Sequence, residues 1–306
     1  MLKIARNKVV YAMSPKNEPA LKVDSGATVV FETCDALHGQ IKNENESFDG
    51  LDWNNINPAT GPLYVNGALP GDVLAVKIEK IDVADSGVVI CGPGMGALPG
   101  LLQISAAKVM QIKDGRAVFS DRVTLPLNKM VGVIGVAPKD EDILCGVPDY
   151  HGGNMDCKEI KEGATVLLPV FVPGALLAIG DLHAVMADGE VGVSGLEVEG
   201  EVTVSVSVIK SRAYPLPMIV NDTHVMTLAS HVDLDVAVEM AAGNMVRYLY
   251  DFEGFEAADA LMLVSMAGDA RICQVVDPKK TARVEMGRGI LANPWGLRSE
   301  ANAYAE

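Results

Sequence analysis

Hydrophobic positions along the chain keep one period up to about residue 215 and another beyond it. The first part alternates. Between residues 196 and 209, Val198, Val202, Val204, Val206 and Val208 share one face of an extended chain, and Glu197, Glu199, Glu201, Thr203, Ser205 and Ser207 share the other. Such a strand packs its valines on a core and turns the opposite face to water or to a site. Residues 73–81 follow Pro70-Gly71-Asp72 and read as a turn feeding a half-buried strand. Residues 107–113 and 116–119 flank Asp114-Gly115, a strong hairpin signal. Residues 130–137 form a further strand ended by Pro138, and 165–178 is strand-like, with Pro169 and Pro173 forcing edges or bends.

Beyond residue 215 the period becomes helical. Val238, Ala241, Ala242, Met245, Leu249 and Phe252 make an apolar stripe, opened near Ser230-His231-Val232-Asp233 by a capping-box-like start and closed by Gly254. Residues 256–267 predict a shorter helix ending at Gly268. Residues 271–276 predict a strand closed by Asp277-Pro278, and the tail 295–306 has too little periodicity to place. The expected fold is mainly β, a distorted sandwich or jelly-roll-like arrangement, with a smaller α+β part at the C-terminal side. Residues 1–215 would form the β-rich part carrying the site, and 216–306 an α/β subdomain packed on it, the two making one structural unit.

Composition narrows the function classes. A 306-residue chain with 49% hydrophobic residues can build a large core without staples. Its 25 basic against 40 acidic residues give a formal charge of −15, which disfavours nucleic acid as a partner. The densest basic group, Lys279, Lys280 and Arg283, then Arg288, reads as a solvated loop. The longest apolar run, 166–179, is broken by Pro169, Pro173 and Gly174, so no membrane span is expected. Export is not expected either, because no apolar core follows the charged first residues. Cys34, Cys91, Cys145, Cys157 and Cys273 are scattered and form no Cys-x-x-Cys pair, which fits a reduced, cytoplasmic setting.

Three segments can carry chemistry. In Gly180-Asp181-Leu182-His183, the acid and the imidazole project from one face of an extended chain, and Asp188 and Glu190 repeat that spacing. One imidazole with several carboxylates suits a divalent ion, although a hydrogen-bonded core histidine would look the same. In His151-Gly152-Gly153-Asn154-Met155-Asp156 the glycines allow tight geometry in which amide N–H groups can hold an oxyanion; a polar turn is the plain alternative. Thr33-Cys34-Asp35, followed by Gly39-Gln40, presents an acid at a strand end. The glycine-rich 92–100 stretch lacks the Lys-Ser/Thr ending of a phosphate loop and reads as a flexible loop, able to line a site's mouth. Serine nucleophile motifs are missing, Cys157 is expected to be buried and inert, and Glu197, Glu199 and Glu201 read as a solvated face that Glu197 could leave.

Taken as an ordered set, these segments resemble the acetamidase/formamidase family over about residues 1–280. The set also includes Asn57-Pro58-Ala59-Thr60-Gly61-Pro62, Gly67-Ala68-Leu69-Pro70-Gly71-Asp72, Gly132-Val133-Ile134-Gly135-Val136-Ala137-Pro138 and Pro169-Val170-Phe171-Val172-Pro173-Gly174-Ala175. The resemblance implies a mostly β fold, release of ammonia from small amides, a bound divalent metal in some members and homo-oligomers (dimers or larger). It also nominates Asp35, Asn154, Asp156, His183 and Glu190 for the site. On that basis Asp35, Asp156 and His183 would hold the metal, with zinc expected and calcium or another hard ion allowed. Glu190 would act as base, Asn154 and the Gly152 and Gly153 amides would face the oxyanion, Asp181 would assist, and Gln40 would contact substrate. A related carboxamide or ester, or a non-catalytic small-molecule-binding β protein, would use the same fold. One departure from the family pattern is Ala187, where a glycine is usual before Asp188-Gly189-Glu190.

Overall fold

The computed structural model describes residues 1–43 and 50–291, so the tail at 295–306 lies outside the described residues. Strands dominate, with two α-helices among the described residues, α1 (Leu234–Glu253) and α2 (Ala257–Ala267). A nine-stranded and an eleven-stranded sheet share one hydrophobic core. Phe31, Val76 and Val204 enter it from the first sheet, and Leu63, Ile134 and Ile179 from the second.

The nine-stranded sheet is covered on both faces over much of its width. Along Val73–Val83, Leu74, Val76 and Ile78 point into the sandwich, while Val73 and Ala75 join the helices in a second core. Val166 and Leu168 against Leu167, and Met226 and Leu228 against Val225 and Ala229, divide in the same way. Period-2 geometry assigns neighbours to opposite faces, so these strands read as nearly continuous apolar runs. The 196–209 alternation is realised, with Val202, Val204 and Val206 fully buried, each stabilising by about 1.5–3 kcal/mol.

Four expectations are corrected in detail. Residues 165–178 are two strands in different sheets: Thr165–Pro169 in the nine-stranded one and Leu177–His183 in the other, parted by the turn at Pro173-Gly174. The 196–209 run also changes sheet, with Glu197–Val198 in the eleven-stranded sheet and Gly200–Ile209 in the nine-stranded one. Ser230 lies inside the strand His224–His231, and α1 is capped instead by Asp233, whose side chain accepts from the Asp235 N–H. The basic run is no solvated loop. Lys280–Gly287 is an eight-residue strand, and Arg283 within it is only 1% exposed.

Residue 215 falls within continuous structure. Thr165–Pro169 pairs directly with Met218–Val220, so the nine-stranded sheet takes strands from both sides of that point. No helix among the described residues is long and apolar enough to cross a membrane.

Candidate active site

Met130–Gly135 runs antiparallel between Gly152–Asn154 and Leu177–His183, and this three-strand ribbon floors the site. Asp156 leaves the end of one outer strand and Asp181 sits in the other. Both lean over Gly132, where a Cβ would lie 2.5 Å from Asp156 Oδ1 and 2.8 Å from Asp181 Oδ2. Glycine at 132 is therefore what lets two carboxylates converge. Asp156, Asp181 and Glu190 all have left-handed backbones, with φ of 42°, 53° and 45°. Each such residue costs roughly 1–2 kcal/mol, and strain of this kind concentrates at functional sites. Ala187, one residue before Asp188, is not left-handed; Gly189 and Glu190 carry that conformation, so the departure from the family pattern is accommodated.

His183 is the centre of the cluster. Cross-strand pairing sets it opposite Glu197, whose Oε2 lies 3.1 Å from Nε2. The same nitrogen is 3.2 Å from Asp181 Oδ1, 3.8 Å from Asp156 Oδ1 and 3.9 Å from Glu190 Oε1. Gly195 backs the ring so closely that a Cβ there would meet Nδ1 at 2.7 Å. Glu190 Oε1 is steadied by the Gly195 N–H at 3.0 Å. A fifth acid, Asp277, comes from the C-terminal part and reaches Asp156 and Asn154; the residue as a whole is half-buried, but its Oδ2 is sealed from solvent.

This arrangement distorts every titration in it. Burial, then the Asp181 charge, pushes Asp156 well above the usual carboxylate range. Burial followed by the charge of Asp156 does the same to Glu190, burial raises Glu197, and burial followed by Glu190 raises Asp277. Asp181 alone moves down, because the His183 charge and hydrogen bond outweigh its burial. Burial opposes charge on His183, but Glu197 and Asp181 together raise it well above its ordinary value. Two overlapping ligand groups result, Asp156–His183–Glu190 and Asp181–His183–Glu197, each with donor atoms within 4.8 Å of one another. Either could hold a divalent ion.

The cluster closes the inner end of a cavity of about 480 Å³. Asn154, Asp156, Asp181, Glu190, Glu197 and Asp277 form its polar end; Leu37, Trp53, Ile56, Ile90, Met95 and Val193 form an apolar wall. Gly94, Met95 and Gly96 bring the glycine-rich loop to the mouth.

Of the residues nominated from sequence, Asn154, Asp156, Asp181, His183 and Glu190 come together. Asp35 stands apart: its carboxylate accepts the Leu37 and Gly39 N–H groups at 2.9–3.1 Å and braces the loop that puts Ala36 and Leu37 on the cavity wall. It joins neither ligand group. Gln40 is spent similarly, with Oε1 accepting the Asp52 N–H at 2.8 Å and Nε2 donating to the Asp52 carbonyl. The Gly152 N–H donates to the Asp149 carbonyl at 3.0 Å and so is unavailable to an oxyanion. Gly153 serves close packing, since a Cβ would lie 2.4 Å from the Val147 carbonyl. Glu197, read as one of a solvated row, is 3% exposed, whereas Glu199 and Glu201 do face out and pair with Arg6 and Lys3. The sheet change between Val198 and Gly200 separates them. Asp277 gave no local signal beyond a strand-ending Asp-Pro.

Fold and site together define a class: a two-sheet β protein with a buried carboxylate–imidazole centre, fit for a divalent ion, at the end of a cavity. The chain belongs to the acetamidase/formamidase family, whose model matches residues 6–144 and 145–290. It is similar to the crystal structure of an acetamidase from Bacillus halodurans, with 45% identity, 94% of this chain and 98% of that one covered, and a TM-score of 0.93. A predicted acetamidase/formamidase from Thermoanaerobacter tengcongensis aligns at 46% identity over 97% and 98% of the two chains, with a TM-score of 0.94. The acetamidase of Mycolicibacterium smegmatis is 42% identical over 263 residues, covering 64% of each chain. The chain spans 63% and 64% of the length of two curated relatives it matches.

Proposed function

We propose that the protein hydrolyses short-chain linear amides, of the formamide and acetamide type, to carboxylate and ammonia, with a divalent ion held by His183 and the carboxylates around it. One observation carries this reading. Asp156 Oδ1 and Oδ2, Glu190 Oε2 and Asp277 Oδ2 are buried and lack a hydrogen-bond partner among the described residues, while Asp181 Oδ1 and Glu197 Oε2 have only the His183 Nε2 that they share, at 3.2 and 3.1 Å. Uncompensated buried anionic oxygens are too costly to keep without a cation. Imidazole with carboxylates suits zinc, the ion we propose, and the same donors accept calcium or another hard ion. When bound, such an ion supplies Lewis acidity, easing deprotonation of water and polarising an amide carbonyl.

The chain's own residues do the rest. Glu190, whose affinity for a proton is raised by burial, serves as base once the bound cation has displaced its proton: it takes a proton from the attacking water and returns it to the leaving nitrogen as the C–N bond breaks. Asn154 faces the cavity and donates to the developing oxyanion. Asp181 Oδ1, 3.2 Å from the same His183 Nε2, stands beside it as a further donor to the ion. The apolar wall excludes water and receives the acyl group.

The test combines metal analysis of the purified protein with ammonia release from formamide, acetamide and longer amides, before and after chelation. Ammonia released at an undiminished rate by metal-stripped protein would remove the ion from the reaction. A ligand-dependent rise in Tm with no ammonia from any amide would leave a binding protein. The cavity is far larger than acetamide, which favours including other small carboxamides and esters as the second reading. A homodimer or larger assembly belongs to the same proposal, supported by exposed Leu261, Met262 and Met266 on α2 and checked by sedimentation. The five unpaired thiols support a cytoplasmic setting.

A further inference from the structure

A buried guanidinium needs a reason, because its desolvation is repaid only by well-placed anions. Arg283 is 1% exposed, yet it lies on the strand Lys280–Gly287, outside the cluster around His183. Its Nη1 and Nη2 donate to Asp188 Oδ1 and Oδ2 at 2.7 and 3.0 Å, a two-pronged fork that fixes the carboxylate in direction as well as distance. Nε donates to Glu285 Oε1 at 2.6 Å. Lys158, two residues beyond Asp156, grips Asp188 Oδ2 from the other side at 2.9 Å.

Asp188 precedes Gly189 and Glu190, which hold φ of 95° and 45°. Gly189 is tied by its N–H to the Cys273 carbonyl and by its carbonyl to the Val275 N–H, at 2.8 and 3.2 Å. The segments that supply Asp156, Glu190 and Asp277 therefore meet around Asp188, and each is gripped there by a residue that touches no part of the cavity. A left-handed glutamate relaxes toward ordinary backbone unless its surroundings hold it. Relaxation would swing the carboxyl away from the reacting atoms.

We propose that Arg283 and Asp188 are positioning residues for the hydrolytic reaction, locking the turn at residues 187–190 so that Glu190 stays aimed into the cavity. The proposal rests on the reading of Glu190 as the base.

The test is a double-mutant cycle in the metal-loaded enzyme, using Asp188→Asn and Glu190→Gln. Asp188→Asn is isosteric and its side chain is 26% exposed, so folding is expected to survive. It should lower kcat about 10- to 100-fold, the cost of a base misplaced by about 1 Å, with metal content unchanged. KM should stay within about threefold. Arg283→Lys keeps the charge, loses the fork and should act in the same direction, which keeps the proposal testable if Asp188→Asn fails to fold. In the Glu190→Gln background, Asp188→Asn should add no further loss, since both act through one carboxyl. Losses that multiply, or an Asp188→Asn enzyme with wild-type kcat and only a lower Tm, would overturn the positioning role. A Glu190→Gln enzyme with full activity would instead overturn the assignment of the base.

Discussion

Gly195 shows how little freedom the central imidazole has. A Cβ there would sit 2.7 Å from His183 Nδ1, and the ring is held on its other side by four carboxylates. Gly195→Ala must turn the ring, and Nε2 leaves the ligand groups with it. Metal affinity should fall about 10- to 100-fold, the usual cost of disturbing a group that orients a ligand. Metal titration followed by ammonia release checks this, with Gly192→Ala as the control, because nothing lies within 4 Å of the Cβ it would add. Comparable effects from both substitutions would mean that the ring is not confined as described. His183→Ala goes further: the carboxylates lose their shared nitrogen, and both bound metal and turnover should be lost.

Elements explain which parts of the site could be read in advance. Asp181 and His183 were legible because they alternate on one strand, and Asn154 and Asp156 because a single residue separates them beside paired glycines. The valine alternation, the Asp114-Gly115 hairpin and both helices were legible for the same reason, since local period and turn chemistry dictate them. Asp35 misled because an acid after a strand looks the same whether it faces a metal or caps its own loop. Glu197 was obscured by Glu199 and Glu201, which continue its pattern after the chain has crossed to the other sheet. Asp277 and Arg283 depend on contacts with chain more than 80 residues away, which no local pattern records. The strand Ser86–Cys91 carries the specificity argument, because it pairs with Glu197 through Val88 and presents Ile90 to the cavity. Ile90→Ala enlarges the acyl side and should shift relative kcat/KM toward butyramide over acetamide by about tenfold. It should also cost about 2–5 kcal/mol of stability. An unchanged ratio across a series of amides would show that the acyl group does not meet this wall.

At the scale of the molecule, a continuous nine-stranded sheet and a site fed from both sides of residue 215 couple folding to the cluster. We therefore expect one cooperative unfolding transition, with a pH dependence set by metal. In the metal-free protein, Asp156, Glu190, Glu197 and Asp277 have folded pKa values raised above their unfolded ones. Unfolded carboxylates ionise near pH ~4, so above that the unfolded state releases protons that the folded state still holds, and stability falls as pH rises toward the raised values. His183, also raised, contributes fully below pH ~6.5 and loses its contribution as pH climbs through its folded value. Asp181 is lowered, so its contribution is present above pH ~4 and is lost only in acid; one group of that sign does not offset five of the other. A divalent ion bound as proposed would take the place of those protons and release them, so its stabilisation would grow with pH. The Tm gained on adding metal to stripped protein should be small at pH 5 and larger at pH 8. At 100 times Kd the gain corresponds to about 2.7 kcal/mol. Thermal melts across that range, with and without metal, measure it directly. A gain that stays flat or shrinks as pH rises would mean that the ion binds somewhere other than among these carboxylates.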